Sequence, residues 1–255
     1  PSLAVMSLSW IMMTLTALLL LEVSLWMEEG VHIITMSSRL LGPIGRNVSW
    51  VLYLFICYAS LVAYTAGGGV QIVNSIGSLF DVVATKPIGC LIFMFLFGSV
   101  IYLGHNVVGR VNAILFIAMI VAYVALVGMG IDEVNPKNLE RANWRYGLMA
   151  LPLLLTSFSF QTMVPSLTPY LKRNAANLRR AIIWGTSLAF VVYLIWQAII
   201  LGIVPLEGEA GLLQALKTGE PATQFISTHV HGPYIAWVAE YFAFFALVTS
   251  FLGIA

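Results

Sequence analysis

Seven stretches of this chain, residues 3–27, 49–72, 88–103, 107–129, 146–171, 181–204 and 234–255, are apolar at close to bilayer-crossing length. A crossing helix needs about 20 mostly apolar residues. Hydrocarbon offers the backbone no water, so only helices or closed barrels span it. The expected fold class is an all-α polytopic membrane protein. Composition agrees: 60% of residues are hydrophobic and 9% charged, where soluble domains carry about a quarter charged. A formal net charge of +1 offers no basic face, so nucleic acid is excluded as a partner and the lipid bilayer is expected instead.

The third stretch is short, and only the tight turn Gly104-His105-Asn106 parts it from the fourth. Residues 33–41 are too few to cross and are expected at the interface, with 210–217 a similar short helix in a long loop. No signal peptide is recognisable in the sequence and the last stretch is still apolar at Ala255. The expectation is one transmembrane domain over residues 1–255, as a fragment of a longer chain. Orientation follows the loop cations. Arg39, Arg46, Arg110, Lys172, Arg173, Arg179 and Arg180 fall on one side, against Lys86, Lys137, Arg141, Arg145 and Lys217 on the other. The cluster at 172–180 marks the first side as cytoplasmic, which puts the start outside and the end inside. Cys57 and Cys90 lie within apolar stretches and read as free packing thiols. The sequon Asn47-Val48-Ser49 falls on the cytoplasmic side and carries no weight.

Seven of the ten prolines stand at or beyond the ends of apolar stretches, but Pro152, Pro165 and Pro169 lie inside 146–171. A proline removes an N–H donor and displaces the carbonyl four residues back, which for Pro165 is that of Gln161 and for Pro152 that of Leu148. Between them runs Thr156-Ser157-Phe158-Ser159-Phe160-Gln161-Thr162. Freed backbone groups survive in a membrane only beside protein or a water-filled cavity, and an interrupted helix that is polar at its break marks a transporter's binding site. Ser157 and Ser159 are small enough for backbone to approach a ligand, and Thr162 is placed to cap the second half-helix. That half-helix would present N–H groups to a carboxylate. The plainer alternative is a kinked packing helix.

In the second stretch Ser60, Tyr64, Gly67, Gly68 and Gln71 recur at three- and four-residue steps, which makes one polar or small face. That face serves either a substrate or close helix packing. Glu22 and Glu240 are acids within apolar stretches, and an intramembrane carboxylate is a candidate proton carrier. The alternatives are snorkelling for either, or for Glu22 a pair with Arg39 or Arg46. His229-Val230-His231 lacks a third metal ligand nearby, and His105 reads as solvated. No metal or cofactor is expected. Trp26, Trp50, Trp144, Trp184 and Trp237 fit an interfacial belt. Phe158, Phe160 and Phe244 border break residues or a packed face, where they line either a pocket for an aromatic side chain or ordinary packing.

Taken in order, Leu18-Leu19-Leu20-Leu21-Glu22-Val23, Ala63-Tyr64-Thr65-Ala66-Gly67-Gly68, Thr156 to Gln161 with Val164-Pro165-Ser166, and Thr249-Ser250-Phe251-Leu252-Gly253 resemble the aromatic amino acid permeases of bacteria. Trp26-Met27-Glu28-Glu29, Tyr53-Leu54-Phe55 and Tyr193-Leu194-Ile195-Trp196 resemble the chlamydial tyrosine permeases among them. The similarity covers essentially the whole chain. It implies the amino acid–polyamine–organocation superfamily, with its five-plus-five inverted-repeat, leucine-transporter-like fold. The chain would then hold the family's second to eighth spans and lack the first and the C-terminal ones. The resemblance also implies a multi-pass protein of the bacterial inner membrane that carries tyrosine or tryptophan inward with a proton. Substrate contacts carried over in this way are Tyr64, then Ser157, Phe158, Ser159, Phe160 and Gln161, then Phe244, Thr249 and Ser250. Proton coupling falls to Glu22, Glu240 or a residue outside this sequence. With no lysine or arginine deep in a span, the substrate is expected to be zwitterionic.

Two other classes compete. An intramembrane serine enzyme needs a base beside Ser157 or Ser159, and no span holds a histidine. A seven-helix receptor or retinal protein matches the span count, but residues 234–255 contain no lysine for a Schiff base.

Overall fold

The structure, a computed structural model, describes residues 2–80, 85–139, 150–208, 211–218, 229–230 and 234–254. Every regular element among them is helical. In chain order these are α1 (Ser2–Trp26), α2 (Ile33–Phe80), α3 (Lys86–Tyr102), α4 (His105–Gly130), α5 (Pro136–Leu139), α6 (Leu151–Ser157), α7 (Val164–Tyr170), α8 (Ala175–Ile203), α9 (Leu212–Thr218) and α10 (Ile235–Ile254). Single 3-10 turns cover Ile131–Glu133 and Gln161–Met163.

Among the described residues, five helices are long and apolar enough to cross a membrane: Ser2–Trp26, Ile33–Gly77, His105–Glu133, Ala175–Ile203 and Ile235–Ile254. Seven crossings were expected, and two fall short for different reasons. The third candidate is α3, whose 17 residues rise only about 26 Å. The fifth is divided into α6, a 3-10 turn and α7, and its start at 146–149 lies outside the described residues. The turn before α4 is where the glycine predicted it: Gly104, at φ 99°, adopts a conformation that an L side chain resists. The expected interfacial segment 33–41 is also distinct, because Gly42 (φ 72°, ψ −165°) breaks α2 and Pro43 follows at the start of the long apolar part. The expected short helix at 210–217 is α9, with Ala210 outside the described residues.

The chain forms two compact units, 1–53 with 140–198, and 54–139 with 199–255. In the first, α1 buries Ser9, Ala17, Leu21 and Ser24, which lie on one stripe of a helix. Ala17 and Leu21 meet Val164 of α7 and Leu178 and Ile182 of α8 in one apolar cluster. In the second unit, Phe93 and Phe97 of α3 pack with Val248, Phe251 and Leu252 of α10. The face of α2 at 67–69 supplies close packing here. A Cβ on Gly67 would lie 3.1 Å from Leu247, one on Gly68 would strike the Phe93 ring, and one on Gly69 would lie 2.7 Å from the Cys90 backbone nitrogen. Small residues at a membrane helix crossing let backbones approach in this way.

Candidate functional site

The first unit carries the interrupted helix. Pro152 sits at the first turn of α6 and Pro165 at the first turn of α7, so both begin helices. At those positions the missing N–H costs nothing. α6 ends at Ser157, Phe158 caps it at φ −100° and ψ 12°, and Ser159 and Phe160 are non-helical. Among the described residues, the Phe160 N–H and the Phe158 and Ser159 carbonyls have no hydrogen-bond partner. Backbone left open in this way is what a polar ligand can use. Thr162 does not cap the second half. The 3-10 turn takes it up, Met163 becomes the N-cap of α7, and no side chain caps either element. With α7 only seven residues long, the open groups of the break, rather than a helix dipole, are the chemical feature.

The break borders a cleft of about 340 Å³ lined by Ser157, Phe158, Ser159 and Phe160 on one side and by Ala181, Gly185, Ala189 and Tyr193 of α8 on the other. Phe158 is 5% exposed, and its ring stands edge-on to Tyr193 at 5.3 Å and 6.4 Å from Phe190. The Tyr193 hydroxyl donates to the Ser157 carbonyl at 3.4 Å. α8 leaves room because residues 181, 185 and 189 are small and one helical turn apart; a Cβ on Gly185 would meet nothing within 4 Å. The serine hydroxyls are engaged locally. Ser157 donates to the Leu153 carbonyl at 2.9 Å and Ser159 to the Thr156 carbonyl at 2.6 Å. Gln161 turns its amide NH2 toward α1, donating to the Met13 carbonyl at 3.1 Å and the Thr16 hydroxyl at 3.2 Å.

Glu22 is ion-paired, but with neither arginine considered from the sequence. Arg179, in the second turn of α8, reaches its carboxylate at 2.9 Å, with the two side chains 55% and 46% exposed respectively. Arg39 instead meets Glu28, with two contacts of 3.3 Å. Long arginine side chains allow both reaches from helix ends.

The second unit holds the other expected residues. Tyr64 and Phe244 both pack against the Phe93 cluster, and Phe244 lies 6.1 Å from Phe97. The Thr249 hydroxyl donates to the Phe245 carbonyl at 2.8 Å, and Ser250 is half-buried on α10. Glu240 is half-buried, and its backbone carbonyl accepts from Gln71 at 3.0 Å. His231, of the expected histidine pair, lies outside the described residues.

The family model of the tryptophan/tyrosine permease family matches residues 1–255. The chain belongs to that family. Its members are permeases and not enzymes. The chain is 29% identical over 260 residues to the tryptophan-specific transport protein of Haemophilus influenzae, covering 96% of this chain and 62% of that one. It is 28% identical to tyrosine-specific transport system 1 of the same organism, covering 96% and 61%. It is 27% identical to the tryptophan-specific transport protein of Pseudomonas aeruginosa, covering 99% and 62%. The chain thus spans about three fifths of the length of the curated relatives it matches. No solved structure matches it. Family membership and five crossing-length apolar helices make this a multi-pass membrane protein.

Sequence reasoning missed the α8 wall of the cleft and Tyr193 as its aromatic member. The four-residue spacing of Ala181, Gly185 and Ala189 was a usable signal.

Proposed function

We propose that this chain forms part of a secondary transporter of the bacterial inner membrane that carries an aromatic amino acid, tyrosine or tryptophan, inward with a proton. The observation that carries the reading is the helix break at 158–160, with open backbone groups beside an apolar cleft, in a chain that matches a tryptophan/tyrosine permease model throughout. The two halves of a zwitterion need a donor and acceptors close together. The Phe160 N–H and the Phe158 and Ser159 carbonyls supply them without a charged side chain, and Ser157 and Gln161 border that segment. Phe158 and Phe160 offer an apolar surface to the ring, where offset or edge-on contacts each add about 0.5–1.5 kcal/mol beyond burial. Tyr64, Phe244, Thr249 and Ser250 are the candidate contacts carried by the second unit.

For the proton, Glu22 is favoured over Glu240 because it already has a partner that protonation would release. Uptake of a proton by the Glu22 carboxylate cancels its charge and frees Arg179, and loss of the proton restores the pair. The organisation of the remaining spans follows the five-plus-five inverted-repeat arrangement of the superfamily. The test is uptake of labelled tyrosine and tryptophan by the full-length protein in vesicles, with and without an inward proton gradient. Accumulation that requires the gradient supports the reading. Aromatic uptake indifferent to the gradient removes the proton and leaves the substrate; no uptake of either amino acid removes both.

A further inference from the structure

The two sides of the break are held in different ways. Downstream of it, three polar anchors tie residues 161–173 to α1 in parallel register. Gln161 donates to Met13 and Thr16. The Thr168 and Ser24 hydroxyls, both buried, meet at 3.2 Å. Arg173 donates to the Leu25 carbonyl at 2.6 Å and the Met27 carbonyl at 2.8 Å, closing the open C-terminal end of α1. Lys172 and Arg173 adopt positive φ (49° and 55°), a strained turn that aims the guanidinium at those carbonyls. Upstream the pattern differs. Among the described residues, no side-chain hydrogen bond joins 151–160 to α1. The hydroxyls of Thr156, Ser157 and Ser159 all return to nearby carbonyls, and α8 is met by the Tyr193 hydroxyl on the Ser157 carbonyl and by the Phe158 ring against Phe190 and Tyr193.

Gln161 therefore stands at the border between a half hydrogen-bonded to α1 and a half that packs against α1 without such bonds. Its carboxamide contacts α1 close to the middle of that helix, at Met13 of Ser2–Trp26. Away from water an amide left without partners is costly. The bond thus opposes any motion that lifts 161–170 off α1, while leaving 158–160 able to turn.

Resting on the transport reading above, we infer that Gln161 is a positioning residue of the transport cycle. It locks the downstream half of the broken helix to α1 and confines the hinge to Phe158, Ser159 and Phe160, and its side chain does not contact the substrate. A side chain that acts in this way sets how fast the site is re-exposed and leaves affinity alone.

The test uses full-length protein in vesicles and compares wild type, Gln161→Leu and Thr16→Val. Thr16→Val removes one acceptor of the Gln161 amide with little change of shape, so it keeps the test informative if Gln161→Leu folds poorly. Loss of positioning alone is expected to lower the maximal uptake rate about tenfold or more in Gln161→Leu, since small misplacements carry penalties of that order. KM for tyrosine and tryptophan is expected to stay within about twofold, which separates a step after binding from binding itself. Thr16→Val shifts the rate in the same direction by less, and the double variant is no slower than Gln161→Leu alone. A KM raised about tenfold at an unchanged rate, with Thr16→Val silent, makes Gln161 a substrate ligand and overturns the inference. Amide hydrogen exchange tests the anchor with no substrate present. In Gln161→Leu, exchange is expected to quicken across 161–170 and stay as in wild type across 151–157. Unchanged exchange at 161–170 overturns the anchor whatever the transported solute. A wild type that carries no aromatic amino acid removes the transport reading but leaves this exchange result to stand or fall by itself.

Discussion

Replacing Gly69 with alanine should drive α2 and α3 apart. A Cβ at Gly69 would lie 2.7 Å from the Cys90 backbone nitrogen and 2.9 Å from its Cα, inside the 3.4 Å at which contact becomes ordinary. Backbone atoms of a packed helix cannot rotate away, so the crossing must open by about 0.5–0.7 Å. Overpacking of this kind costs about 1–3 kcal/mol, and alanine's better helix propensity returns up to about 1 kcal/mol. The net loss of about 1–2 kcal/mol corresponds to a fall of about 2–8 °C in apparent Tm for a chain of this size. The assay is thermal unfolding of purified protein in mild detergent. Gly128→Ala on α4 is the control, since its Cβ would meet nothing within 4 Å; its Tm should stay level or rise. Adding Cys90→Ala to Gly69→Ala removes the thiol but leaves the clashing nitrogen and Cα, so stability should not return. A Gly69→Ala protein as stable as wild type, or full recovery with Cys90→Ala, would refute the packing reading of this glycine face.

Other consequences are open to direct measurement. Glu22→Gln should break the ion pair with Arg179 and make aromatic uptake independent of the proton gradient, whereas Glu240→Gln should leave coupling in place; the reverse pattern reassigns the carrier. Phe158→Ala empties a 5%-exposed ring position beside the cleft. Truncating a buried Phe costs about 3–5 kcal/mol in a closed core, and less is expected here because the ring borders a cleft rather than a closed core. KM for tyrosine and tryptophan should rise at least about tenfold, matching about 1.4 kcal/mol of lost ring contact, and unchanged KM would remove Phe158 from the site.

How much of this was legible in the sequence depended on whether the cause was local. Pro152, Pro165 and the Ser-Phe-Ser-Phe run located the break because backbone chemistry acts within a few residues. Gly104 placed the turn before α4 for the same reason. Thr162 misled because a short 3-10 turn, whose stability depends on what packs around it, moved the helix start past it. The remaining errors are of long range. Glu22 and Arg179 lie 157 positions apart and Gln161 and Met13 lie 148 apart, so no spacing rule connects them. The glycines at 67–69 carried a pattern that fits substrate contact and helix crossing equally well, and Leu247, Phe93 and the Cys90 backbone opposite them assign them to packing.

The central claim is that residues 158–160 border the path of an aromatic amino acid. It is tested most directly by placing one cysteine at Ser159, with Cys57 and Cys90 replaced by alanine, and following its reaction with a membrane-impermeant thiol reagent. The account predicts labelling that tyrosine or tryptophan slows and that lysine does not. A cysteine that never reacts, or that reacts at one rate with and without aromatic amino acids, would contradict it.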